Sequence, residues 1–399
     1  MQFDRRTALA RQRVALSVSF RSQTHRCRKF SRHRWHDACS VSPGSSLASD
    51  TALPGCRATC RQTAAPQSRR GTVIITGGSS GIGRCTAVLF ARHGWHVGLI
   101  ARGAAGLAAA AADVRAAGGQ AAIAAADVTV SAALRAAADA IVAELGPPDV
   151  WINCAGNGVY GRFTSVPEAQ FEHVTAVTYG GTVNGCRVAL ALMAPRGRGT
   201  IVNVCSAVAF HGLPMMTSYA GAKAAVRGFA QALQAELRIE RSRIRVSTIF
   251  PPAVNTPFFS HAVSHMGWPA RPVPPVYQPE VVAAGIHLAV SLGRPEMVVS
   301  GTAAAFSLAA RVSPRLVAFL MTRLGFDGHA TRDPEAVRLQ EPTLFAPSAE
   351  ASPVHGPFGR HARRRSVQLW LCRTGVIVAK LGPLAKAAKR RVRFRPRSR

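Results

Sequence analysis

A serine, a tyrosine and a lysine near the middle of the chain have the types and spacing of an acid–base set. Tyr219 and Lys223 are four residues apart. On a helix that spacing puts both side chains on one face, within reach of one ligand. A free tyrosine titrates at about 10 and is a poor acid–base catalyst at neutral pH. An ammonium group held beside it favours the phenolate and draws the pKa toward the working range. Ser206 lies just after the apolar run 200–204 and stands thirteen positions before Tyr219. A hydroxyl at a strand end can donate to a substrate oxygen beside the tyrosine. The same spacing also fits an ordinary helix with one half-buried tyrosine and one solvated lysine, so the surrounding elements decide.

Those elements begin abruptly at Gly71. The β-branched run 72–75 reads as a buried strand, and a helical pattern follows through Phe90. Between them lie Thr76, Gly77, Ser79, Ser80, Gly81, Ile82 and Gly83. Strand, glycine-rich turn and helix point backbone N–H groups and a helix N-terminus at a phosphate. The spacing Gly-x3-Gly-x-Gly differs from the more common GxGxxG of dinucleotide folds. The run 96–100 reads as a second strand and leads into Arg102. An NAD-binding fold carries an acidic residue at this place for the ribose hydroxyls. Arginine can instead pair with a 2′-phosphate, with Arg84 as a helper, which favours NADP(H) over NAD(H). The plainer alternative is a solvated surface arginine.

Further along, 121–126 reads as a third strand ending at Asp127 and Val128. The Asp127 carboxylate can accept from an adenine amino group, or cap the helix expected over 131–145. A fourth strand, 149–152, runs into Asn153, Ala155 and Gly156, where small residues let a cofactor lie against the backbone and Asn153 can tie strands together. A long helix is expected over 168–193, its Gly180, Gly181 and Gly185 lowering helix propensity and implying close packing. Strands at 200–204 and 243–250 follow, the latter leading into Pro251, Val254 and Thr256. The alternation predicts an α/β fold, a Rossmann-like doubly wound parallel sheet of about seven strands with helices on both faces. Ligand is expected at the carboxyl ends of the strands, where all of these residues fall.

Taken together, the residues resemble the classical branch of the short-chain dehydrogenase/reductase family over about 71–300. Thr76-Gly77-x3-Gly81-Ile82-Gly83 resembles its cofactor loop, Asn153-x-Ala155-Gly156 its AsnAsnAlaGly segment with Cys154 in place of the second Asn, and Ser206, Tyr219 and Lys223 its catalytic set. The resemblance implies hydride transfer between a nicotinamide and a carbonyl/alcohol substrate. Tyr219 would be the general acid/base. Lys223 would bind the nicotinamide ribose and lower the tyrosine pKa, and Ser206 would orient the substrate. Two departures stand out. Thr178 occupies the place of the family's helix asparagine that helps hold a proton-relay water, and Pro251-Pro252 replaces a ProGly. The resemblance also implies a homodimer or homotetramer through the 168–193 and Tyr219 helices. Segment 258–278, with aromatics and prolines, is expected to form a substrate lid suited to a lipophilic carbonyl or alcohol. A loop that only covers the core is the alternative.

Charge sits mainly at the two ends. Residues 1–70 carry 14 Lys/Arg against 3 Asp/Glu, and residues 355–399 carry 14 against none, within a chain of net charge +31. The expected organisation is a basic extension without packed structure (1–70), the catalytic domain (71–325) and a basic C-terminal tail (326–399). The first is read preferentially as an upstream extension of the reading frame, with a transit peptide as the second possibility. His25, Cys27, His33, His36 and Cys39 match no zinc spacing, so no metal is expected. The nine unevenly placed cysteines fit a reducing cytoplasm better than a disulfide scaffold. The stretch 355–399 of the C-terminal tail is compatible with peripheral contact to anionic lipid; nucleic acid is the less favoured partner. Two rival readings stay open: a catalytically weak NADP-binding sensor or scaffold, and a membrane or nucleic-acid adaptor working through the basic ends.

Overall fold

The computed structural model describes residues 70–324 and 328–373. Contacts divide the chain into two units, Met1–Thr63 and Ala64–Arg399. The expectations for 1–69, including its histidines and cysteines, and for 374–399 lie outside the described residues.

Nine strands are present among the described residues: β1 (Gly71–Thr76), β2 (Trp95–Ala101), β3 (Ala121–Ala125), β4 (Val150–Asn153), β5 (Val159–Tyr160), β6 (Arg198–Val204), β7 (Arg243–Phe250), β8 (Val263–Ser264) and β9 (Glu296–Val298). Seven of them form one sheet in the order β3-β2-β1-β4-β6-β7-β9, every pair parallel. The chain winds outward from β1 through β2 to β3, then returns to β4 and proceeds the other way. The switch between β1 and β4 opens a crevice at the strands' carboxyl ends.

The central strands β1, β2, β4 and β6 are largely buried on both faces, so alternate residues feed two separate cores. Val73, Ile75, Val97, Leu99 and Ile152 face α1 (Gly81–Arg92) and α2 (Ala104–Ala116), packing against Phe90, Leu107 and Ala110. Ile74, Ile100, Trp151 and Ile201 face the other way, onto α3 (Ser131–Leu145). Two longer helical stretches complete that layer. α4 (Glu168–Thr175) passes through a single π turn, Ala176–Gly180, into α5 (Gly181–Met193), and α6 (Thr217–Ile239) follows β6. The glycines of α5 answer a packing need. A Cβ on Gly181 would sit 2.5 Å from Val128 and one on Gly185 1.9 Å from Asn153 Oδ1.

After β7 come the short α7 (Phe258–His261), then α8 (Pro279–Leu292), then a helical hairpin, α9 (Gly301–Val312) and α10 (Pro314–Leu324). β5 and β8 pair as a separate two-stranded piece beside α7. Within the tail expected from 326, described residues of 328–373 contact the domain. Arg363 bridges to Tyr277, Ser366 Oγ donates to the Val299 carbonyl at 2.7 Å, and Leu369 is buried in the core beside Gly285. Backbone pairing that adds to existing structure needs no apolar periodicity, which is why composition alone reads as a tail.

Candidate active site

The crevice floor is the turn between β1 and α1. Gly77 and Gly81 have φ of +68° and +50°, left-handed values that favour glycine. A Cβ on Gly83 would lie 2.1 Å from the Gly77 carbonyl oxygen, so the helix starts hard against the turn. Thr256 closes over Gly81 from the β7 side, within 3.2 Å of where its Cβ would be. One cavity of about 530 Å³ runs from this turn past Arg102, Asp127 and Val128 to Ala155, Gly156, Ser206, Tyr219, Lys223, Pro251 and Val254. Ser79, Ser80, Ile82 and Thr256 line it as well. A cavity that joins a glycine cradle and a helix N-terminus to a tyrosine has the layout a dinucleotide needs.

Ser206 stands at the end of β6 and accepts from the Val208 amide at 3.3 Å, while Ala207 N donates to the Pro251 carbonyl at 3.0 Å. These bonds fix the loop that presents the serine. Tyr219 and Lys223 follow in the first turns of α6. Lys223 Nζ donates to the Val204 carbonyl at 2.7 Å and sits 5.6 Å from the Tyr219 ring centre. Burial pushes the Lys223 amine down. It also pushes Tyr219 above the ordinary tyrosine value, partly offset by the Ser206 hydroxyl. Desolvation is the largest cause of that shift and favours the protonated phenol. The neighbouring thiols are neutral too, with Cys154 raised to about 12 by burial and Cys205 raised likewise.

Some of the other expected site residues lie under the floor. Asn153 is buried, accepts from Trp151 Nε1 at 2.8 Å and donates to Asn203 Oδ1 at 2.9 Å, tying β4 to β6. Thr76 Oγ1 accepts from the Cys154 amide at 3.3 Å, joining β1 to β4. Asp127 lines the cavity but spends one carboxylate oxygen on Thr129, receiving its amide at 2.8 Å and its hydroxyl at 2.7 Å. It therefore caps the turn before α3. Thr178, on the π turn, is fully buried with no hydrogen-bond partner for Oγ1 among the described residues. A Cβ on Gly156 would be 3.8 Å from that oxygen and 3.9 Å from Lys223 Nζ, so both groups flank one small space.

Arg102 is where the expectation and the fold meet least simply. It lines the cavity, yet its guanidinium donates to three successive carbonyls of the C-terminal segment: Thr343 at 2.6 Å, Leu344 at 3.1 Å and Phe345 at 3.0 Å. Arg84 pairs with Asp113 at 2.7 Å and donates to the Ser352 carbonyl at 3.0 Å. The Gly81 amide, at the start of α1, donates to the Pro353 carbonyl at 3.3 Å. Residues 340–356 thus form a strap running from α7, where Thr343 N meets His261 O, across the ends of β2 and α1. Thr343, Pro347, Ser348, Glu350 and Ser352 become cavity wall.

The opposite end of the cavity is apolar. Phe258 packs on Tyr219, ring centres 5.3 Å apart, and Leu213, Met216, Phe259, Val273, Phe306 and Met321 extend the wall. Segment 258–278 supplies part of it, at the place expected of the lid. Sequence reasoning passed over Asn157, whose side-chain oxygen and nitrogen are both buried without a partner among the described residues. It lines the same cavity, and its position directly after Gly156 was the available signal.

Comparison with known proteins bears on the family and the fold. A family model described as short chain dehydrogenase matches residues 71–267. The short-chain reductase protein NovJ of Streptomyces niveus is 34% identical over 201 residues, half of this chain and 75% of that protein. A probable oxidoreductase, EphD of Mycobacterium tuberculosis, is 40% identical over 185 residues, 46% of this chain. The chain spans only 31% of that relative's length. The 3-ketodihydrosphingosine reductase of Mus musculus is 33% identical over 190 residues, 46% of this chain and 57% of that protein. Among solved structures, an alcohol dehydrogenase from Thermococcus sibiricus, complexed with 5-hydroxy-NADP, shares the fold. It has a TM-score of 0.51 at 23% identity, covering 57% of this chain and 95% of that one. The chain belongs to the short-chain dehydrogenase family.

Proposed function

We propose that the protein is an NADP(H)-preferring oxidoreductase that moves hydride between the nicotinamide and a lipophilic carbonyl or alcohol. The observation that carries this reading is that Ser206, Tyr219 and Lys223 share one cavity with the glycine turn at one end and an aromatic wall at the other. When bound, the cofactor would supply the hydride. Gly77, Gly81, Ile82 and Gly83 would hold its phosphates, Asp127 and Val128 its adenine, and Val254 and Thr256 its carboxamide side.

In the reducing direction the Tyr219 hydroxyl gives its proton to the substrate oxygen, and the raised pKa keeps that proton available at neutral pH. Ser206 donates a hydrogen bond to the same oxygen as negative charge gathers there. Lys223, anchored on Val204, returns a proton toward Tyr219 through the space it shares with Thr178. In the reverse direction Tyr219 must first lose its proton, so alcohol oxidation gains speed as pH rises.

NADP(H) preference is supported by Arg102 at the end of β2 and by the lack of an acid beside it. The lipophilic class is supported by the apolar wall, and one relative is named for reducing 3-ketodihydrosphingosine. A homo-oligomer through α4–α5 and α6 is part of the same reading. The test is NADPH oxidation against a panel of short and long-chain aldehydes and ketones. Turnover that rises with chain length supports it, and no turnover on any carbonyl, in either direction, refutes it.

A further inference from the structure

The α9–α10 hairpin carries an apolar face that the described part of the molecule leaves open. α9 exposes Leu308 (62%) and Val312 (76%), one turn apart; α10 exposes Leu316 (54%), Phe319 (53%) and Leu320 (48%) at helical spacing. Val317, on the inward side of α10, is buried at 3% and holds the helix to the molecule. A contiguous apolar face of this kind marks an interaction surface.

The charge on the hairpin selects the partner. Arg311, Arg315 and Arg323 are exposed, and residues 301–324 contain no aspartate or glutamate. A second copy docking by the same face would bring arginine against arginine with no acid between them. The chain's own ends have the same sign, with 14 Lys/Arg against 3 Asp/Glu in 1–70 and 9 against none in 374–399. An anionic bilayer surface satisfies both features. Its acyl region takes the leucines and the phenylalanine, and its phosphates pair with guanidinium groups whose stems lie along apolar surface. At 12 and 11 residues the two helices are too short to cross a bilayer and have the length of helices that lie in its surface.

The hairpin's other side faces the chemistry. Thr302, Ala303 and Phe306 of α9 and Met321 of α10 line the cavity that holds Tyr219. We propose that the α9–α10 hairpin docks the protein on anionic lipid bilayers and that lipophilic substrates pass from the acyl region along its inner side to Tyr219. The docking stands on the exposed face alone, whereas the delivery of substrate rests on the oxidoreductase reading.

The test uses the full chain and vesicles of phosphatidylcholine with phosphatidylglycerol, at about 0.5 M NaCl, where screening to about 4 Å suppresses attraction by the basic ends. Wild type is expected to co-sediment with the vesicles. Leu316→Ser/Phe319→Ser/Leu320→Ser, and separately Leu308→Ser/Val312→Ser, should lower the bound fraction, the triple variant at least about tenfold. Turnover of a water-soluble aldehyde should be unchanged in both, while turnover of a long-chain ketone presented in vesicles falls. Equal binding by wild type and both variants overturns the proposal. So does a change in the lipid-free sedimentation coefficient of either variant, which would make the face a contact between copies. Lost vesicle binding in the variants, with no turnover by wild type on any carbonyl, would uphold docking and reject the oxidoreductase reading.

Discussion

The crevice floor and the strap above it are built by opposite means. The floor is specified by side chains, or by their absence: Gly77 and Gly81 turn the backbone, Gly83 lets α1 start against it, and Asn153 and Thr76 lock strands from below. The strap is held across the crevice chiefly through its own backbone, with the carbonyls of residues 343, 344, 345, 352 and 353 accepting from Arg102, Arg84 and the Gly81 amide, while Leu344 is buried and Gln340, Ser352 and His355 add side-chain contacts. A site of the first kind is written in residue types and spacing. A site of the second kind leaves no such mark, because every residue carries the same carbonyl.

Gly83→Ala should give the largest effect on the floor side. Its Cβ would fall 2.1 Å from a backbone oxygen, so the turn must move, and a displacement of that size is expected to weaken NADPH binding by about a hundredfold. Calorimetric titration checks it; unchanged affinity would mean the turn does not hold the phosphates. Arg102→Ala tests the joint between the two regions. Losing three charge-assisted hydrogen bonds should cost about 2 kcal/mol of stability and speed protease cleavage within 340–356. The KM for NADPH should rise more than that for NADH. Equal rises would make Arg102 a strap anchor alone.

Thr178→Val probes beneath the floor. Because its hydroxyl has no partner among the described residues, replacing it with a methyl should leave thermal stability unchanged or raise it by about 1 kcal/mol. If the hydroxyl serves the relay, kcat should still fall about tenfold. A loss of stability without a loss of rate would assign it to packing. A smaller effect is expected where α8 meets α1. His287 stacks on His93 with ring centres 4.2 Å apart, and burial, then the charges of His93, Arg70 and Arg373, lower its pKa to about 4. A depressed folded-state value means the stability is present above the ordinary histidine pKa and is lost as pH falls from 6.5 toward 4. The melting temperature should drop over that window, and His287→Leu should flatten the drop.

Much of the scaffold was readable because buried parallel strands are runs of β-branched residues and the turn needs glycine at fixed places. β7 and α3 fall where the pattern puts them, at Arg243–Phe250 and Ser131–Leu145. The helix expected over 168–193 is interrupted by the π turn that carries Thr178, a one-residue change in hydrogen bonding that periodicity does not register. The four-residue spacing shows that a lysine is near, but not how completely the phenol is removed from water. Residues 340–356, rich in Pro, Ser and Ala, gave no sign that they cross the crevice.

The central claim is that the Tyr219 hydroxyl exchanges the proton with the substrate oxygen, with Ser206 and Lys223 in support. Tyr219→Phe, assayed by single-turnover NADPH oxidation with a long-chain ketone alongside NADPH titration, tests it most directly. Turnover should fall at least about a thousandfold with NADPH affinity unchanged. Turnover within a few-fold of wild type would contradict the assignment.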